Sequence, residues 1–360
     1  MSGLTYVFCH GLNGCGQYDA EYAKKPYWGG ASGDVVSEWR ERGLNAYAAS
    51  VAPQGSAWDR ACELYAQIAG TRTDYGKAHC EEFAHGRVGR DFSGQPLIPS
   101  WDDDTRLVLI GHSFGGATIR LFGELLANGS KEERAVTEPE NLSPLFAGGM
   151  AGRIFAIVTL AAPTNGTTAY ELAVDPTFDA RRLWVLPRYA LLDRLVKAKT
   201  KIRTDGRDER DWANYDMRVD NAQALNERIH TLPNVYYLSV ACDATKPGKD
   251  GRRVPNTKLM DPLFVRTGTN MGAYGGTTDA GCVMDDAWHA NDGLVNTVSA
   301  HAPNGAPQKP LDPANIERGI WNVMEDLPVD HSFFSGGYLH KTNPHPFFDE
   351  LLGLLQGLEG

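Results

Sequence analysis

No apolar run in the 360-residue chain approaches the about 18 residues that a membrane-spanning helix needs, so a transmembrane segment is not expected. Basic charge is also short: 35 Lys and Arg stand against 45 Asp and Glu, a formal net charge of −10. A polyanion partner normally requires a basic field, so a nucleic-acid partner is not expected either. Closely spaced cysteine pairs are missing. Cys9, Cys15, Cys62, Cys80, Cys242 and Cys282 are scattered singly, which excludes a disulfide framework or a cysteine-rich metal knuckle and leaves free thiols as the expectation. The N-terminus MSGLTYVFCHG has no basic region, no longer apolar stretch and no small-residue cleavage site, so no signal peptide is read in this chain. That pattern suits a cytoplasmic protein, yet a mature secreted chain would read the same. Internal repeats and low-complexity linkers are lacking too.

What is present is the composition of a globular protein with a sizeable core, 42% hydrophobic and 22% charged. The length allows one large domain with an insertion or two small domains. Apolar β-rich runs at 5–10, 44–50, 107–110, 154–161 and 235–241 alternate with helix-compatible stretches at 34–42, 59–70 and 117–127, and a final helix is expected over 346–355. Such alternation predicts an α/β fold, a mostly parallel sheet with helices on both faces. Residues 168–215 break the alternation. Leu191, Leu192, Leu195 and Val196 read as one apolar helix face, with Arg188, Arg194, Lys197, Lys199, Lys201 and Arg203 crowding the other side, so this stretch is expected to form a helical cap or lid. Residues 246–285, rich in Gly, Thr, Pro and Asp, are expected to form long loops.

The most informative segment is Leu107 to Ile119, LVLIGHSFGGATI. A buried-strand pattern runs into Gly111-His112-Ser113-Phe114-Gly115 and then into a helix. A serine on such a turn adopts a strained backbone, the flanking glycines give the turn room, and the helix N-terminus supplies free amides and a positive dipole. This strand and helix context marks a nucleophile elbow rather than a chance GxSxG match.

A serine hydroxyl is a weak nucleophile and needs a base, oriented in turn by a carboxylate. In the order Ser, acid, His, the turn Asn291-Asp292-Gly293 before 294–298 offers Asp292, with Asp279, Asp285 and Asp286 as rivals. His331 lies in a loop ahead of the final helix, with His289, His301, His340 and His345 as rivals. Spacing does not choose among them. An oxyanion hole would take the amide of Phe114, the residue after the nucleophile, and the amide of Leu12 in the loop His10-Gly11-Leu12 after the first strand.

Longer words resemble one family over nearly the whole chain. YWGG at 27–30, WDRACELYAQ at 58–67, DYGKAH at 74–79, NGSKEER at 128–134, LSPLFAGG at 142–149, NDGLVNTVS at 291–299 and VDH at 329–331 look like the zinc-containing bacterial lipases of the thermophilic-bacillus and staphylococcal type, within the α/β-hydrolase fold. The resemblance implies a triad of Ser113, Asp292 and His331, with oxyanion amides on Leu12 and Phe114. It also implies a structural zinc held by Asp59, His79, His85 and Asp216. Read without the resemblance, these four have no recognisable zinc spacing, although imidazole and carboxylate suit Zn²⁺ and four protein ligands would close its shell.

The chain also departs from that pattern. A calcium site near the catalytic histidine is not expected, because Phe333 stands where the family has an acid and Gly337-Tyr338 where it has an Asp-Pro pair. The cap is shorter and less apolar than in thermophilic members. Phe114 replaces a frequent glutamine, which would put an apolar wall beside the nucleophile. The expectation is a single-domain serine carboxylic-ester hydrolase, a lipase or esterase acting on short to medium acyl esters, with polyesters as a further class. The competing expectations are a non-catalytic binding protein on the same fold, and thioesterase or peptidase chemistry on the same triad. For a mature chain the resemblance implies secretion.

Overall fold

The computed structural model describes residues 3–201 and 206–359. Seven parallel strands make the central sheet: β1 (Leu4–Cys9), β2 (Asn45–Ala49), β3 (Arg106–His112), β4 (Ile154–Leu160), β5 (Tyr236–Val240), β6 (Gln308–Pro310) and β7 (Trp321–Val323). Their spatial order is β6-β7-β5-β4-β3-β1-β2. β3 reads as a nearly unbroken apolar run because the sheet is covered on both faces. Val7, Cys9, Leu107 and Leu109 point into one core layer; Tyr6, Phe8, Val108 and Ile110 point into the other.

The first layer is closed by helices α2 (Ala57–Ala69) and α4 (Phe114–Asn128), the second by α1 (Val35–Glu41) and α7 (His345–Gly357). α2 starts where the Ser56 hydroxyl accepts from the Asp59 amide and stops at Gly70, whose φ of +64° suits glycine. Between β1 and β3 the chain order reverses, since β1 pairs with β2 on one side and β3 on the other. The loops leaving the carboxyl ends of these two strands therefore meet at the switch point, where parallel sheets place their ligands.

Two expectations about the connections need correction. The stretch 246–285 is not all loop: it carries two short hairpins, Thr245–Pro247 with Arg253–Pro255 and Gly276–Thr277 with Val283–Met284, and helix α6 (Val265–Met271). In the cap region, helix α5 (Pro187–Thr200) does not bury one apolar face. Leu192 and Val196 are partly covered, while Leu191 and Leu195 are exposed by 60% and 51%. The buried position is Asp193, whose carboxylate accepts from the Thr267 hydroxyl of α6 at 2.9 Å. A polar contact at the packed face thus rotates half of the leucine pattern outward. Arg203, expected on the basic side, lies outside the described residues. Strands β6 and β7, three residues each at one side of the sheet, carried too short a pattern to be read. Residues 294–296, after the Asn291-Asp292-Gly293 turn, lead into the short helix Thr297–Ala300.

Candidate active site

Ser113 sits between the end of β3 and the first residue of α4 with φ +55° and ψ −131°, a conformation L residues rarely adopt. Its amide donates to Leu160 O of β4 at 2.9 Å. The flanking glycines are needed for space. A Cβ on Gly111 would lie 2.5 Å from Gly115 O, and one on Gly115 would lie 2.1 Å from Cys9 O.

The Ser113 hydroxyl lies 2.8 Å from His331 Nε2, and His331 Nδ1 lies 2.8 Å from Asp292 Oδ2. A carboxylate only accepts, so Nδ1 carries the proton and Nε2 presents its lone pair to the serine. Asp292 is almost wholly buried, and its other oxygen accepts from the Leu294 and Val295 amides at 2.9 and 2.7 Å. These amides aim the carboxylate at His331. His331 N donates back to Asp292 O at 3.0 Å, tying the two loops together.

The rivals are engaged elsewhere. Asp285 caps the Ala287 amide, Asp286 is exposed beside His289, and Asp279 is exposed. His289 Nδ1 donates to Gly251 O, His301 pairs with Asp326 and His345 with Glu38. His340 donates its backbone amide to Asp261.

The loop after β1 reaches the serine directly. A Cβ on Gly11 would stand 2.7 Å from Ser113 Cβ. The Gly11 amide donates to Tyr27 Oη at 3.0 Å, and the Asn13 amide to Pro53 O. Neither the Leu12 amide nor the Phe114 amide enters a turn or cap hydrogen bond among the described residues. The Phe114 ring is not a wall beside Ser113. It is fully buried in the core layer of α2 and α4, 5.0 Å from the Arg60 guanidinium, which also donates to His10 O. The helical start swings the side chain of the residue after Ser113 down into the core and leaves only its amide near the hydroxyl.

A second group includes Asp59 of α2. Asp59, His79, His85 and Asp211 bring one ligand atom each within 4.8 Å of the others, a set able to hold a metal ion. His79 Nε2 is 3.3 Å from Asp59 Oδ1 and 3.2 Å from Asp211 Oδ1; His85 Nε2 is 3.2 Å from Asp211 Oδ2. Ligands at zinc distances from a tetrahedral centre stand roughly 3.3 Å apart, so the spacing fits. Asp59 Oδ1, His79 Nε2 and both Asp211 oxygens are buried without a hydrogen bond of normal geometry among the described residues, as atoms awaiting a cation would be. Burial alone would depress the His79 imidazole; the facing Asp211 and Asp59 carboxylates outweigh it and lift it to about 9. The Trp58 indole stacks on the same ring at 5.1 Å.

Asp216, expected as the fourth ligand, is not in this group. Its Oδ2 accepts from the Ala57 amide at 2.7 Å, at the start of α2, and burial pushes its carboxyl up to about 7. Asp211 lies five residues earlier and precedes the short helix Ala213–Asp216. The fully buried carboxylate is the one that faces the imidazoles.

Residues 4–189 match the family model described as "Lipase-like, C-terminal domain". The chain is 32% identical over 365 residues to Lipase 2 of Staphylococcus aureus, covering 93% of this chain and 51% of that protein; it thus spans about half the length of the curated relatives it matches. Among solved structures, EstA from Clostridium botulinum superposes with a TM-score of 0.84 at 29% identity, over 98% of this chain and 87% of that one. Staphylococcus hyicus lipase superposes with a TM-score of 0.80 at 28% identity, over 100% and 98%. With its parallel sheet and strand-to-helix serine turn, the chain has the α/β-hydrolase fold and belongs to the lipase-like C-terminal domain family.

Proposed function

We propose that this protein is a serine carboxylic-ester hydrolase of the lipase and esterase type. The observation that carries the reading is the unbroken line from Ser113 Oγ through His331 to Asp292, with 2.8 Å at each step. His331 Nε2 takes the hydroxyl proton as Ser113 Oγ bonds to the ester carbonyl carbon. The carbonyl π electrons move to oxygen, and the Leu12 and Phe114 amides receive that oxyanion. Collapse expels the alcohol, which leaves with the proton from His331, and an acyl-Ser113 ester remains. Water, deprotonated by the same nitrogen, attacks that ester and releases the acid. Asp292 stays ionised throughout and stabilises the imidazolium.

Asp59, His79, His85 and Asp211 would hold a zinc ion. Four protein ligands would leave it no open position, so its contribution when bound is structural. It would tie the start of α2 to the segment before Ala213.

The substrates are read as short to medium acyl esters, with polyesters as a further class. Support comes from helix α5, which buries a single residue and leaves Leu191 and Leu195 exposed. The test is hydrolysis of p-nitrophenyl esters from acetate to palmitate, alongside Ser113→Ala. Activity is expected to peak at short or medium chains and to vanish in the variant. A wild type that hydrolyses none of the esters would instead favour a binding protein, and full activity in Ser113→Ala would overturn the mechanism.

A further inference from the structure

The residue before the nucleophile, His112, is buried, and both its ring nitrogens are used. Nδ1 is 2.7 Å from Tyr27 Oη, and Nε2 is 3.0 Å from His331 O. Tyr27 Oη is in turn the acceptor of the Gly11 amide at 3.0 Å. Gly11 is the residue whose Cβ position abuts Ser113.

We infer that Tyr27 and His112 are positioning residues that set the oxyanion loop and the catalytic base at a fixed separation, through Gly11 N–H to Tyr27 Oη, Tyr27 O–H to His112 Nδ1, and His112 Nε2–H to His331 O. The inference rests on the proposed role of Ser113 and His331.

The direction of every bond is fixed by its ends. The Gly11 amide can only donate and the His331 carbonyl can only accept, so His112 must be the neutral Nε2–H tautomer and Tyr27 must pass its proton to Nδ1. A protonated His112 would offer Tyr27 a second donor and leave the phenol proton without its acceptor. The surroundings agree. Burial, and then the neighbouring His331, depress the His112 imidazole well below its usual range, and burial raises the Tyr27 phenol. Neutrality matters for the chemistry as well. The two imidazoles lie with centroids 4.9 Å apart, so a charged His112 would oppose the imidazolium that His331 becomes. Using up the Gly11 amide also decides which loop amide is free for the oxyanion, and that is the next one, on Leu12.

Neither side chain reaches the reacting atoms, so their loss should act on the transition state and not on ester binding. Tyr27→Phe keeps the ring and removes the hydroxyl. His112→Gln keeps a donor for His331 O and has no ring nitrogen at the Nδ1 position that faces Tyr27. Each variant should lower kcat by about tenfold or more with KM within about twofold. Affinity for an alkyl boronic acid, which forms an oxyanion mimic on the serine, should fall by the same factor as kcat. Because both act through one chain of bonds, the double variant should lose little more than the worse single variant.

Ser113→Ala is assayed beside them. If that variant is inactive while Tyr27→Phe keeps kcat and boronate affinity within about twofold of wild type, the relay is wrong and the serine mechanism stands. Losses that multiply in the double variant would overturn the relay too. If Ser113→Ala stays active, it is the underlying reading that fails.

Discussion

Gly11 and Ser113 touch across the switch point between β1 and β3: a Cβ placed on Gly11 would lie 2.7 Å from Ser113 Cβ and 3.1 Å from its hydroxyl. Only a residue without a side chain lets the loop come so close to the Ser113 hydroxyl. Backbone conformation is not the obstacle, because Gly11 is not among the glycines with positive φ.

Gly11→Ala is therefore predicted to separate loop from serine while the fold survives. Overpacking of this kind costs about 1–3 kcal/mol of stability. Displaced oxyanion amides cost more, on the order of 10² in kcat/KM. Denaturant unfolding and ester hydrolysis on one preparation measure both. A variant with wild-type kcat/KM would show that this loop does not serve the reaction.

Strain at the elbow gives a second prediction. Ser113 holds φ +55° with ψ −131°, which costs an L residue about 1–3 kcal/mol and glycine little. Ser113→Gly should be more stable than Ser113→Ala by about 1 kcal/mol, both being inactive. Thermal unfolding of the pair decides it, and an alanine variant at least as stable as the glycine variant would contradict a strained turn.

The metal group separates two neighbouring aspartates. Purified wild-type protein is predicted to carry about one equivalent of zinc and to lose thermal stability on chelation. Asp211→Asn should retain less than about a tenth of an equivalent and show no chelator-dependent shift. Asp216→Asn should still hold the metal, since its role is to accept the Ala57 amide. Metal analysis of the three proteins is the check. Zinc lost from Asp216→Asn and kept in Asp211→Asn would reverse the assignment.

Much of this was legible in the chain, for identifiable reasons. The elbow, the alternation of strands and helices, and the loop after β1 are local, so Ser113, Phe114 and Leu12 could be named from neighbouring residues. Asp292 and His331 lie 39 residues apart and far from Ser113. Spacing left each among rivals, and only extended family-like words singled them out. Asp211 was missed because ligand choice in a folded cap depends on which carboxylate turns inward. Asp216, in a short helix five residues on, turned to a helix start instead. Asp193 was hidden the same way, since a single hydrogen bond to Thr267 overrides the leucine pattern of α5.

Stability should depend on pH through Glu63, a buried carboxyl beneath the β2 loop. Burial raises it from 4.5 to about 7, against the lowering effect of hydrogen bonds from the Ala52 amide and the Tyr75 hydroxyl. The folded value lies above the unfolded one, so the fold prefers the protonated form. That contribution is fully present below about pH 4.5 and is lost as pH rises through about 7, up to about 3 kcal/mol in all. Glu63→Gln should abolish this slope, so the stability of variant minus wild type should grow between pH 5 and 8. A difference that is flat across that range would contradict it.

The most direct measurement is the site of covalent modification by a fluorophosphonate ester, mapped by peptide mass spectrometry on the intact protein. The serine mechanism predicts one stoichiometric adduct on Ser113, slowed when His331 is replaced and absent in Ser113→Ala. No adduct, or one on another residue with Ser113 unmodified, would contradict it.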